Sequence, residues 1–101
     1  MFRVTRVPLA RSATTYNIAS SATSVILMRA RPDRRGATIF NDSTQVLYVR
    51  LGESGGGVAS TSDYTIQMAT LTYYEVPFDY TGPIYGIWAA ANGNARVTEV
   101  Y

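Results

Sequence analysis

The sequence predicts an all-β chain folded as a single antiparallel β-sandwich, jelly-roll-like or meander in its connections, with an extended N-terminal arm. Three observations carry this. The β-branched and aromatic residues Val, Ile, Thr, Tyr and Phe, which suit a pleated surface, are abundant, and no segment repeats its apolar residues with helical spacing. Turn formers divide the chain into short pieces at regular intervals, the pattern of a sandwich or barrel. Finally, Asn92-Gly93 separates two β-patterned runs, and Asn-Gly favours a tight reversal between antiparallel strands.

Taken in order, residues 2–7 alternate apolar and polar side chains up to Pro8 and read as a first strand. Residues 9–23 are rich in Ser, Thr and Ala, with Tyr16 and Ile18 as the only sizeable apolar anchors, so they read as an extended arm. The expected division is therefore a strand and arm for contact with a partner or a neighbouring subunit over 1–23, followed by the sandwich over 24–101. Residues 24–30 form a continuous apolar run and are expected as a central strand. Residues 31–36, Arg-Pro-Asp-Arg-Arg-Gly, are a turn: Pro presets φ and Gly allows the positive φ that closes it.

Residues 37–40 and 45–51 are expected to form a hairpin through Asn41-Asp42-Ser43-Thr44. In the second of these strands Leu47, Val49 and Leu51 share one face, and Val46, Tyr48 and Arg50 the other. Residues 52–62 hold three consecutive glycines and read as a flexible loop. Residues 64–69 and 73–76 are a further expected pair. Pro77 and Gly82-Pro83 bracket a corner that contains Phe78 and Tyr80. Residues 84–91 and 95–101 form the last expected hairpin, with Tyr101 in the sheet.

At 101 residues the chain has the size of one domain. It contains no Cys and no His, and all nine of its basic side chains are arginines. A conventional triad, a thiol nucleophile, a Schiff-base lysine and the usual transition-metal ligands are thereby removed, and the expectation is a non-enzymatic protein without cofactor or metal. A carboxylate-only hydrolase stands last among the alternatives. No apolar run has the length of a membrane span, and the N-terminus lacks the apolar core of a signal peptide, so a soluble, unprocessed chain is expected.

Candidate sites follow from what is left. The Gly52–Gly57 stretch lacks the Lys and the following helix of a phosphate-binding loop and reads as surface. Asp42 and Asp63 sit in turn-forming contexts, and no acidic spacing matches a calcium loop. The arginines are concentrated early, at Arg3, Arg6, Arg11, Arg29, Arg31, Arg34 and Arg35. This basic half is expected to meet an acidic protein partner or a neighbouring copy, with nucleic acid ranked below because no nucleic-acid motif accompanies it. Tyr73, Tyr74, Phe78, Tyr80, Tyr85 and Trp88 lie within sixteen residues, about half of them expected in the core and half on a contact surface. The residues expected to bind a partner are Arg3, Arg6, Arg11, Tyr16, Arg31, Arg34, Arg35, Tyr80 and Trp88. A glycan stacked on Trp88 and the tyrosines is the alternative ligand.

Several segments also carry a family resemblance. Gly36-Ala37-Thr38-Ile39-Phe40-Asn41-Asp42-Ser43, Leu47-Tyr48-Val49-Arg50-Leu51-Gly52, Tyr73-Tyr74-Glu75-Val76-Pro77 and Gly86-Ile87-Trp88, with Ala91-Asn92-Gly93-Asn94-Ala95-Arg96-Val97-Thr98-Glu99, together resemble small virion proteins of tailed bacteriophages. These are the head-decoration, head-fibre and minor structural proteins. The resemblance covers residues 35–101, and its motifs are strands and turns. It implies a β-sandwich located in the virion, working as a homo-oligomer bound to the major capsid protein or another virion protein. The alternative role it leaves open is a receptor- or carbohydrate-binding module of a fibre or spike. It assigns no catalytic residue.

Overall fold

Period-two burial runs through nearly every strand of the computed structural model, which describes residues 9–52 and 58–101. The strands are β1 (Ala13–Ala19), β2 (Val25–Met28), β3 (Gly36–Asp42), β4 (Leu47–Leu51), β5 (Ile66–Met68), β6 (Tyr73–Val76), β7 (Ile84–Trp88) and β8 (Asn94–Val100). In β3, Ala37, Ile39 and Asn41 point inward; in β8, Ala95, Val97 and Glu99 do so. This alternation is the direct consequence of side chains leaving a strand on opposite faces. All regular structure among the described residues is β.

Two four-stranded sheets result, with strand orders β1-β8-β3-β6 and β2-β7-β4-β5, and every pairing is antiparallel. Only the β4–β5 connection stays within a sheet; every other step along the chain crosses from one sheet to the other. That is the eight-stranded jelly roll, and the meander alternative is excluded. The inward faces meet in one core built from Leu27, Met28, Ile39, Leu47, Val49, Met68, Val76, Ile84, Trp88 and Val97.

Several expectations change. The three expected hairpins, 37–51, 64–76 and 84–101, are arches between sheets: β3 and β4, β5 and β6, and β7 and β8 never pair with each other. At Asn92-Gly93 only Gly93 takes a positive φ, +83°, so the tight turn that Asn-Gly favours is replaced by an arch over residues 89–93 that delivers β8 to the opposite sheet. There β8 is central, bonded to β1 over seven residue pairs and to β3 over seven more, and this ladder outweighs the local preference for a hairpin. An added Cβ at Gly93 would lie 2.5 Å from the Asp42 carbonyl oxygen, so the arch needs glycine for space as well as for φ.

The 24–30 run is an edge strand rather than a central one. Strand β2 pairs only with β7, and its register breaks between Ile26 and Met28, which leaves Ile26 partly exposed. The arm also shortens. Residues 13–19 are built into the first sheet as β1, with Tyr16 and Ile18 packed against the core, so the sandwich begins about eleven residues before Ser24. Low hydrophobicity misled here because an edge strand buries only alternate side chains on one face. The expected strand over 2–7, and residues 53–57 of the glycine-rich loop, lie outside the described residues.

Candidate functional site

The turn after β2 was expected to present a cationic cluster, and its central residue does the opposite. The Arg31-Pro32-Asp33-Arg34 turn closes through a bond from the Arg34 N–H to the Arg31 carbonyl at 3.1 Å. This geometry drives the Arg34 side chain between the sheets, where it is 0% exposed. Its Nε donates to Glu99 Oε2 at 2.7 Å; Nη1 donates to the Tyr80 and Gly82 carbonyls at 3.1 and 2.9 Å; Nη2 donates to the Arg29 carbonyl. A guanidinium is suited to this task because its donors lie in a planar fork that serves several acceptors at once.

Glu99, on the inward face of β8, completes the knot. Its Oε1 accepts a bond from the Tyr16 hydroxyl at 2.9 Å and lies 4.0 Å from Arg31 Nη1. One carboxylate thus ties β1, β8 and the 31–36 turn together. Arg31 itself is pinned above the Tyr101 ring, 3.4 Å from its centroid, and donates to Asp33 at 2.8 Å. Arg35 pairs with Asp79 at 3.4 Å. Tyr80 is clamped through its hydroxyl to the carbonyls of Gly52 and Pro83.

These contacts revise the expected partner-binding set. Arg34 and Trp88 are buried and structural. Trp88 is 1% exposed, and its indole N–H donates to Asn41 Oδ1 at 3.3 Å, so it offers no stacking platform to a glycan. Tyr16 and Tyr80 are half-buried and committed to internal bonds. Arg31 and Arg35 reach the surface as members of ion pairs with Asp33 and Asp79. Arg11 is exposed, while Arg3 and Arg6 lie outside the described residues.

A second polar knot was hidden behind turn chemistry. Asn41, at the end of β3, is fully buried; its Nδ2 donates to the carbonyls of Gln45, Met68 and Ala69, and its Oδ1 also accepts from Ser43 Oγ at 2.6 Å. It fastens the arch between β3 and β4 to the end of β5. Asn-Asp-Ser reads as an ordinary turn former in sequence, and nothing local marks its first residue as the one that turns inward.

Large apolar side chains are exposed around β6. Leu71, Tyr73 and Phe78 are 65%, 68% and 61% exposed. They precede, occupy and follow edge strand β6, and Phe78 borders a shallow groove shared with Ala10, Gly36, Thr38, Val76 and Val100 on the outer face of the first sheet. Tyr73 and Phe78 belong to the aromatic cluster visible in the sequence; Leu71 was not singled out.

The half-buried phenols give the fold a pH signature. Burial first, and then the hydrogen bond to Glu99, raises Tyr16 well above its ordinary value of 10.0; burial also raises Tyr74 and Tyr80. Tyr101 moves the other way, lowered by its bonds to Thr14 and Arg31. A phenol whose folded pKa is raised stabilises the fold fully below the unfolded value and loses that contribution as pH rises beyond it. Stability is therefore expected to fall from about pH 10 upward, and Tyr16→Phe to flatten that fall. Urea midpoints measured across the alkaline range check this; an equal slope in the variant would remove Tyr16 from the explanation.

A scan against protein-family models gives no match for this chain, and a search of curated proteins gives none either.

Proposed function

We propose that the chain is a structural virion component of a tailed bacteriophage, a subunit that decorates or cements the capsid as part of a symmetric oligomer. The observation that supports this best is the partition of its side chains. The most elaborate polar cluster, around Arg34 and Glu99, is consumed in holding the sheets together, whereas large apolar groups are left at the surface along β6. Exposed apolar and aromatic side chains of this size favour a protein–protein contact. The jelly roll is compatible with such a role, since capsid proteins use it, but this is fold-level analogy and carries less weight. Weak contacts of this kind gain strength when symmetry repeats them.

The test is rebinding of purified protein to particles stripped of it. Tyr73→Ser/Phe78→Ser is expected to reduce apparent affinity by at least about tenfold, given the energies typical of exposed aromatic anchors. Failure of the unaltered protein to bind particles would sink the role; undiminished binding by the variant would sink the β6 surface. Deleting residues 1–23 would not isolate the arm's contribution, because it removes β1 from the sheet.

A further inference from the structure

Four strands form the edges of the two sheets, and three of them carry features that discourage pairing. Strand β2 has four residues and a register break, β5 has three residues, and β6 has four, with the charged Glu75 among them. Short length, irregularity and charge are the devices by which natural edges avoid association. Strand β1 has none of them. It runs for seven residues, Ala-Thr-Thr-Tyr-Asn-Ile-Ala, with no charge, no proline and unbroken register against β8. Among the described residues, no strand lies on its other side.

The ladder shows which backbone groups are left over. Ser12 and Tyr101 exchange both of their backbone bonds, and the Ser20 N–H donates to the Gly93 carbonyl. By the alternation of an antiparallel ladder, the even-numbered residues of β1 face β8, and Ala13, Thr15, Asn17 and Ala19 direct their N–H and C=O groups outward. We propose that this edge is the pairing site for the β1 of a second copy of the chain, antiparallel about a two-fold axis through Tyr16, joining the two first sheets into one.

A second copy suits this edge because its β1 brings the same seven-residue length, neutrality and freedom from proline to the pairing. With Tyr16 opposite Tyr16, Ala13 meets Ala19 and Thr15 meets Asn17, so every outward donor and acceptor on one strand finds its counterpart on the other. The strand overlaps its partner along its full length, and being neutral, it brings no like charges together. The pairing also covers a mixed cleft that opens beside this edge between the sheets, lined by Tyr16, Ile18, Ile26, Leu27, Arg29 and Glu99.

The test measures the solution mass of the full chain by sedimentation, together with amide exchange. The expected result is twice the chain mass, with slow exchange at Ala13, Thr15, Asn17 and Ala19. Thr15→Pro removes only an outward N–H and leaves the β8 ladder intact, so it is expected to give a folded monomer. Should that variant misfold, Thr15→Glu/Asn17→Glu sets carboxylates opposite each other across the proposed pair and should also give a monomer. A monomeric wild-type protein with fast exchange at those four amides would overturn the proposal. A dimer that survives in a folded variant would overturn it by placing the interface elsewhere. Slow exchange in a monomer would do so by showing that the chain's own residues 1–8 cover the edge. The inference stands apart from the virion role: loss of particle binding by an intact dimer would count against that role and leave this edge in place.

Discussion

Arg34→Met is expected to lower the stability of the fold by about 3–5 kcal/mol, the usual consequence of removing one partner of a buried ion pair. Methionine keeps much of the stem's volume, so little of the loss arises from a cavity. The loss comes from Glu99, which is 6% exposed and would keep only the Tyr16 hydroxyl and the more distant Arg31. Three backbone carbonyls, of Arg29, Tyr80 and Gly82, would lose their donor as well. In a domain of this size the change corresponds to a fall in Tm of more than about 10 °C. Arg34→Met/Glu99→Leu should recover part of the stability, because no unpaired carboxylate remains, but not all of it, because the carbonyls are still unserved. Urea denaturation of the two single variants and the double variant measures the coupling directly. A cost below about 1 kcal/mol for Arg34→Met would show that the pair contributes little beyond its own desolvation.

Trp88→Ala is expected to cost a comparable amount, about 3–5 kcal/mol, through loss of buried area and the cavity left behind. Trp88 sits at the end of β7 among the side chains of both sheets, and it is the only tryptophan in the chain. Its emission therefore reports on this position alone: it should be blue-shifted and poorly quenched by iodide in the native protein, and should move to the red as urea unfolds it. Trp88→Phe is expected to cost less, since the ring volume is largely kept while the bond to Asn41 is lost; Asn41 Oδ1 would still accept from Ser43. Ready quenching of the native protein, or a Trp88→Ala variant as stable as the parent, would contradict a buried indole. A reduction in glycan binding by Trp88→Ala would not indicate a stacking platform, because the substitution acts on the core.

Much of the fold was legible one segment at a time. Residues 73–76 were bounded correctly as a strand, the inward pair Leu47 and Val49 followed from simple alternation, and Gly93 takes the positive φ that its turn signal indicated, although the hairpin expected around it does not form. The candidate surface was legible only in outline: the aromatic cluster was visible, but not which of its members would be exposed. Tyr73 and Trp88 have the same kind of sequence context, yet one is 68% exposed and the other 1%.

By itself, then, the sequence determined the β class, the approximate strand positions, the reversals and the absence of His, Cys and Lys. These depend on residue type and on spacing of a few residues, and such local preferences act within a single strand or turn. Tertiary structure alone decided which sheet each strand joined, that residues 13–19 are an edge strand rather than an arm, and that Arg34 turns inward while Tyr73 turns out. A turn motif specifies that the chain reverses, but the sheet it returns to depends on partners far away in sequence. Strand β8 finds β1 and β3 across most of the chain, and Arg34 is buried because Glu99, sixty-five positions later, is waiting between the sheets.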